Sequence, residues 1–111
     1  FSVPGRSGRD AITSVEWYEV GGGESGYIAV DPRDPNIIYA GSFQGYLTRY
    51  DHARGQLRQI SVWPEEYSGW SAGQQKYRFN WTAPLLLSPH DPSTLYTAAN
   101  VVFRSRDEGQ S

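Results

Sequence analysis

Residues 27–39 read YIAVDPRDPNIIY, and residues 84–96 read PLLLSPHDPSTLY. Pro32, Asp34, Pro35 and Tyr39 recur as Pro89, Asp91, Pro92 and Tyr96 at a constant spacing of 57 residues, with no gap. Apolar Ile28, Val30 and Ile38 are matched by Leu85, Leu87 and Leu95. Self-similarity at a fixed period of this size marks a repeat architecture and constrains the fold before any single residue does. Beyond Gly45 the alignment needs a short gap and fades.

Working outward, each repeat reads as strands. Residues 27–31 and 85–88 are short apolar runs stopped by proline, as buried strands are. The Pro-x-Asp-Pro stretch that follows is a turn, because proline presets φ and the aspartate can accept from the backbone two residues on. Residues 37–41 and 95–99 are the second strands, 45–51 and 101–105 the third. Residues 57–62 form a fourth, partly alternating strand. No 3.6-residue apolar period appears, and 12 glycines with 7 prolines interrupt the chain too often for long helices. The expected class is all-β: antiparallel four-stranded units, two incomplete repeats of period 57, fitting the blades of a β-propeller. A small β-sandwich is the other fold open to this pattern. The organisation expected is a partial blade plus the first repeat over residues 1–62, an aromatic insertion over 63–81, and a second repeat over 82–111.

The final residues, Ser105-Arg106-Asp107-Glu108-Gly109-Gln110-Ser111, resemble an Asp-box, Ser-x-Asp-x-Gly-x-Ser/Thr-Trp, truncated before its tryptophan. In that motif the aspartate bonds turn amides and the glycine takes a positive φ, so Ser105, Asp107 and Gly109 are assigned a structural role. The turn Tyr50-Asp51-His52-Ala53-Arg54-Gly55 keeps an Asp and a Gly but not the spacing. Together with the repeat, the stretches Trp17-Tyr18-Glu19-Val20-Gly21-Gly22-Gly23-Glu24-Ser25-Gly26-Tyr27, Asp31-Pro32-Arg33-Asp34-Pro35-Asn36, Arg49-Tyr50-Asp51 and Ser88-Pro89-His90-Asp91-Pro92 resemble bacterial propeller proteins of the Asp-box (BNR) and sortilin type. The resemblance implies a multi-blade, exported protein, periplasmic or secreted. Its members include sialidases, xyloglucan-active hydrolases and sorting receptors, so no single activity follows. The opening Phe1-Ser2-Val3-Pro4, without a starting Met, and the end inside an Asp-box read as a piece of a longer chain. The expected partners are therefore the remaining blades or other subunits.

Composition narrows the ligand. Ten Lys and Arg against 12 Asp and Glu give a net charge of −2, with no basic patch for nucleic acid and no polybasic run for a membrane surface. The longest apolar stretch, around Leu85, Leu86 and Leu87, is far too short to span a bilayer. Cysteine is absent, which removes disulfides and thiolate metal sites. His52 and His90 have no ligand spacing, and no metal or cofactor is expected.

Connections in an up-and-down blade alternate between two faces. One face should therefore collect residues 21–26, 43–45, the insertion, and Ala99-Asn100, while the Asp-Pro turns and the Asp-box lie opposite. The insertion carries Trp63, Tyr67, Trp70, Tyr77, Phe79 and Trp81 with Glu65, Glu66, Arg78 and Asn80. Rings, carboxylates and amides together suit saccharide stacking or peptide capture. The competing reading is that these rings pack the loop onto the propeller. The candidate ligand-binding residues are Glu24, Glu65, Glu66, Tyr67, Trp70 and Asn100. Gly69 and Gly73 flank Trp70 and should let it open to solvent. Trp81, next to a buried strand, is expected in the core, and Trp17, Tyr39 and Tyr96 are expected to be structural. The glycine loop lacks the lysine and the helix of a phosphate cradle; it reads as a tight turn presenting Glu24.

Catalysis is not expected of this chain. Glycoside hydrolysis needs two carboxylates about 5–10 Å apart. In the hydrolases it resembles, one catalytic aspartate lies between the second and third strands, where this chain has Phe43 and Asn100. No Phe/Tyr-Arg-Ile-Pro sialidase motif occurs. The two functions carried forward are a non-catalytic scaffold that presents loops to protein or glycan, and a piece of a hydrolase whose carboxylates lie mostly elsewhere.

Overall fold

A computed structural model describes residues 14–24 and 26–111. The expectations for residues 1–13 and for Ser25 within the glycine loop lie outside the described residues. Two antiparallel sheets account for the strands. The first runs β1 (Ile28–Val30), β2 (Ile37–Gly41), β3 (Leu47–Asp51) and β4 (Gln56–Gln59), in that spatial order. The second runs β5 (Leu85–Leu87), β6 (Leu95–Ala98) and β7 (Val102–Ser105). The chain is all-β, each sheet an up-and-down meander.

Turn chemistry sets the registers. Asp31, Asp34 and Asp91 each accept from a backbone amide two residues on, at Arg33, Asn36 and Ser93. These Asx turns close the β1–β2 and β5–β6 hairpins, so that Val30 faces Ile38 and Leu87 faces Leu95. Residues 57 apart thus occupy equivalent hairpin positions. Cross-strand rows then assign the faces. Ala29, Tyr39, Arg49 and Arg58 share one row of the first sheet. Leu86, Tyr96 and Arg104 share the corresponding row of the second.

The main core lies between the sheets. Ile37, Tyr39, Leu47 and Ile60 meet Leu85 and Leu95, with Ala29 and Leu87 packed alongside. A second cluster, Val20, Ile38 and Ala40 with Tyr18 and Tyr50, covers the far face of the first sheet. Trp17, expected to be structural, is instead 50% exposed. The segment is anchored by Val20 and by the stacking of Tyr18 on His52, with centroids 3.9 Å apart.

The 105–111 turn is closed by its own side chains. The Asp107 carboxylate accepts from the Ser105 and Ser111 hydroxyls and from the Gln110 and Ser111 amides. Ser105 Oγ accepts from the Gly109 amide at 2.9 Å. Gly109 has φ +77°, and a Cβ there would lie 2.8 Å from Ile60 Cβ. Glycine therefore serves both the backbone conformation and the close approach to the first sheet. That approach is also polar. Arg49 pairs with the Glu108 carboxylate at 2.8 Å, and Arg58 donates to the Glu108 carbonyl at 2.7 Å.

Candidate functional site

Among the described residues no helix or strand lies between Gln59 and Leu85, so the 63–81 insertion is held by side chains. Tyr77 sets its ring edge-on to Phe103 of β7 at 4.9 Å and to Trp63 at 5.8 Å. Phe79 stacks near Phe103 and fills the space beside Gly45, where a Cβ would sit 2.6 Å from the ring. Asn100 accepts from the Arg78 amide at 2.9 Å, fastening the insertion to the β6–β7 loop. Lys76 Nζ covers one face of Trp63, 3.9 Å from the centroid.

So anchored, the start of the insertion walls a cleft of about 370 Å³. Gly22, Ser42, Phe43, Gln44 and Tyr46 line it from the glycine loop and the β2–β3 connection, Gln59 and Ser61 from β4 and its exit, and Trp63, Pro64, Glu65 and Glu66 from the insertion. The floor is pinned by close backbone approaches. Gly22 N–H donates to Thr48 Oγ1 at 2.7 Å, Gly23 N–H donates to the Gly41 carbonyl, and the Ser42 hydroxyl donates to the Glu24 carbonyl. Gly22 has φ +68° and a Cβ there would press on the Gly41 carbonyl oxygen, so the loop needs glycine to lie down on β2.

The candidate residues divide. Glu65 and Glu66 are on the cleft wall, and Glu24 is exposed beside Ser42. The Ser68 hydroxyl and amide hold the Glu66 carboxyl below its ordinary range, which keeps it ionised and oriented. Asn100 is a fastener, its side-chain oxygen engaged by Arg78. Tyr67, expected on an accessible lip, is only 3% exposed. Its ring meets Trp70 edge-on at 5.7 Å, and its hydroxyl lies beside Glu65 and the Tyr77 backbone without a well-formed hydrogen bond. Trp70 is 47% exposed, but Trp81, expected in the core, is 56% exposed. The reason is geometric: the strand turns inward only at Ala83 and Leu85, while Trp81 lies outside on Phe43.

Sequence reasoning missed Tyr46, Gln59, Gln44 and Ser42 as cleft residues. The signal was available for Phe43 and Gln44, which fall in a loop already assigned to this face. For Gln59 and Tyr46 it was not, since whether the sheet edge opens under a loop depends on packing. Among the described residues no group of three or more His, Cys, Asp or Glu could hold a metal ion. No helix there is long and apolar enough to cross a membrane.

No protein-family model, curated protein or solved structure matches this chain.

Proposed function

We propose that this chain is part of an Asp-box β-propeller that serves as a non-catalytic binding scaffold, with the cleft between Tyr46 and the Trp63–Glu66 segment receiving a saccharide. The observation that carries the reading is the lining of that cleft. Aromatic Phe43, Tyr46 and Trp63 stand with amides Gln44 and Gln59 and carboxylates Glu65 and Glu66 around one open space. Flat rings take the apolar faces of a sugar, while amides and carboxylates take its hydroxyls. The propeller part rests on the 57-residue repeat, the meander of each sheet, and the Asp107 turn that joins the second sheet to the first. Proximity to a cell-surface or secreted glycan follows from the same family resemblance, and with it an extracytoplasmic location. The other blades are its nearest partners.

Hydrolysis is the weaker reading. The cleft's carboxylates, Glu65 and Glu66, are adjacent in sequence and on one wall, whereas a glycosidase sets its pair across the scissile bond. Screening an immobilised glycan panel, with product analysis on every binder, tests the proposal. Retention of a saccharide without release of reducing ends is the expected result. Turnover would return the protein to the hydrolases, and absence of any saccharide binding would end the reading.

A further inference from the structure

Among the described residues, every charged side chain that lines the cleft is acidic. Glu65 and Glu66 are on its wall, and no Lys, Arg or His is. Glu24 adds an exposed carboxylate on the adjoining glycine loop, its carbonyl bonded to the Ser42 hydroxyl. Among the described residues none of the three is ion-paired: the pairs are Arg33–Asp31, Arg49–Glu108 and Arg54–Asp51. The chain's only lysine, Lys76, is turned to the rings of Trp63 and Tyr77 instead, 3.9 and 5.4 Å from their centroids. The cleft thus carries negative charge that the described residues leave uncompensated, and a concave site of one sign draws in the other.

The lining is also ordered to receive a cation. Glu66 Oε1 accepts from the Ser68 hydroxyl and amide, at 2.7 and 3.0 Å, which fixes the carboxylate and leaves Oε2 without a donor among the described residues. The hydroxyl of buried Tyr67 stands beside Glu65 without a hydrogen bond of its own, a donor in reserve for that carboxylate. Trp63 supplies the third contact. Its ring already seats the Lys76 ammonium, the attraction of a cation to an aromatic face. Resting on the reading of the cleft as a saccharide site, we infer that its ligand is an amino sugar with a free ammonium group at C2. The Glu65 and Glu66 carboxylates take the ammonium, while Tyr46 and Trp63 take the ring. A neutral hexose offers these carboxylates hydroxyls alone, an acetylated amine carries no charge, and uronic and sialic acids are repelled.

Three β-1,4-linked tetrasaccharides that differ only at C2 test the assignment: those of glucosamine, N-acetylglucosamine and glucose. Each is titrated into the full chain at about pH 5.5, where the sugar amine holds its proton and carboxylates have lost theirs. Ser68 keeps Glu66 below the ordinary glutamate range there. The glucosamine tetramer should bind about fivefold more tightly than the glucose tetramer. In the double variant Glu65→Gln, Glu66→Gln that preference should disappear. Asp34→Asn removes a carboxylate at the other end of β2 while keeping the turn's acceptor, and should retain the preference. Equal binding of the three tetramers overturns the amino-sugar assignment and leaves the saccharide site standing, as does a preference that survives in the double variant or is lost in Asp34→Asn. If none of the three binds, the assignment falls, and the saccharide site falls with it only when the wider glycan panel is also silent.

Discussion

Trp81 lies flat against Phe43, with ring centroids 5.0 Å apart and planes 18° from parallel. The pair sits over the loop face and leaves more than half of the indole in solvent. Tyr67, fourteen residues earlier, is the buried ring of the insertion. Stability should follow burial, not proximity to a strand. Trp81→Ala should cost about 1 kcal/mol, the worth of an exposed aromatic pair. Tyr67→Ala should cost about 3 kcal/mol, the usual result of emptying a buried ring site. Chemical denaturation of the two variants measures the difference, and equal costs would mean that the insertion is not held as described.

Tyr39 and Tyr96 occupy equivalent positions in unequal environments. Tyr39 is buried between the sheets, where burial, with Glu108 next in weight, pushes its hydroxyl above the ordinary phenol range. Tyr96 is half-buried on an open face. Tyr39→Ala should cost about 3 kcal/mol and Tyr96→Ala about 1 kcal/mol or less. Urea melts on the isolated chain check this.

The contrast shows what could be read from sequence. The Pro-x-Asp-Pro pairs and the apolar runs before them placed β1, β2, β5 and β6 to within a residue or two, because Asx turns and proline are local chemistry. The third strand of each repeat and the fourth of the first were also found, β3 and β4 being joined by the turn that ends at Gly55. The collection of loops on one face followed from alternation along a meander. Burial within the insertion did not follow. Six rings in nineteen residues can satisfy each other in many ways, and only packing against Phe103 and Gly45 selects one. Tyr67 and Trp81 exchanged roles for that reason.

Glu108 holds a left-handed backbone, φ +60°, which costs a non-glycine residue roughly 1–2 kcal/mol. Arg49 and Arg58 grip its carboxylate and carbonyl from the first sheet. Glu108→Ala loses the ion pair and keeps the strain, whereas Glu108→Gly loses the pair and relieves it. Glu108→Gly should therefore be the more stable of the two by about 1 kcal/mol. A thermal melt that ranks them the other way would contradict the role given to backbone strain at this tip.

Acid should loosen the hairpins. Hydrogen bonds from Ser111 and Ser105 hold the Asp107 carboxyl far below the usual carboxylate range, and Asp91 is lowered chiefly by Ser93 and Thr94. Asp31 and Asp51 are lowered chiefly by Arg33 and Arg54. A depressed folded pKa gives stability that is fully present above the unfolded value, about 3.9, and is lost as pH falls through the folded value. Tm should hold steady from neutral pH to about 5 and fall below about 4. Asp107→Asn should shrink that fall; an unchanged acid limb in this variant would show that the Asp107 turn does not contribute it.

The most direct test of the proposed role is calorimetric titration of a panel-selected saccharide into three forms of the chain: the native sequence, Tyr46→Ala at the cleft, and Leu86→Ala on the outer sheet face. Tyr46 lines the cleft and keeps part of its ring in solvent, so its loss should weaken binding about tenfold, roughly 1.4 kcal/mol, while Leu86→Ala should bind as the native chain does. Native affinity in Tyr46→Ala, or an equal loss in both variants, would contradict a binding site between Tyr46 and the Trp63–Glu66 wall.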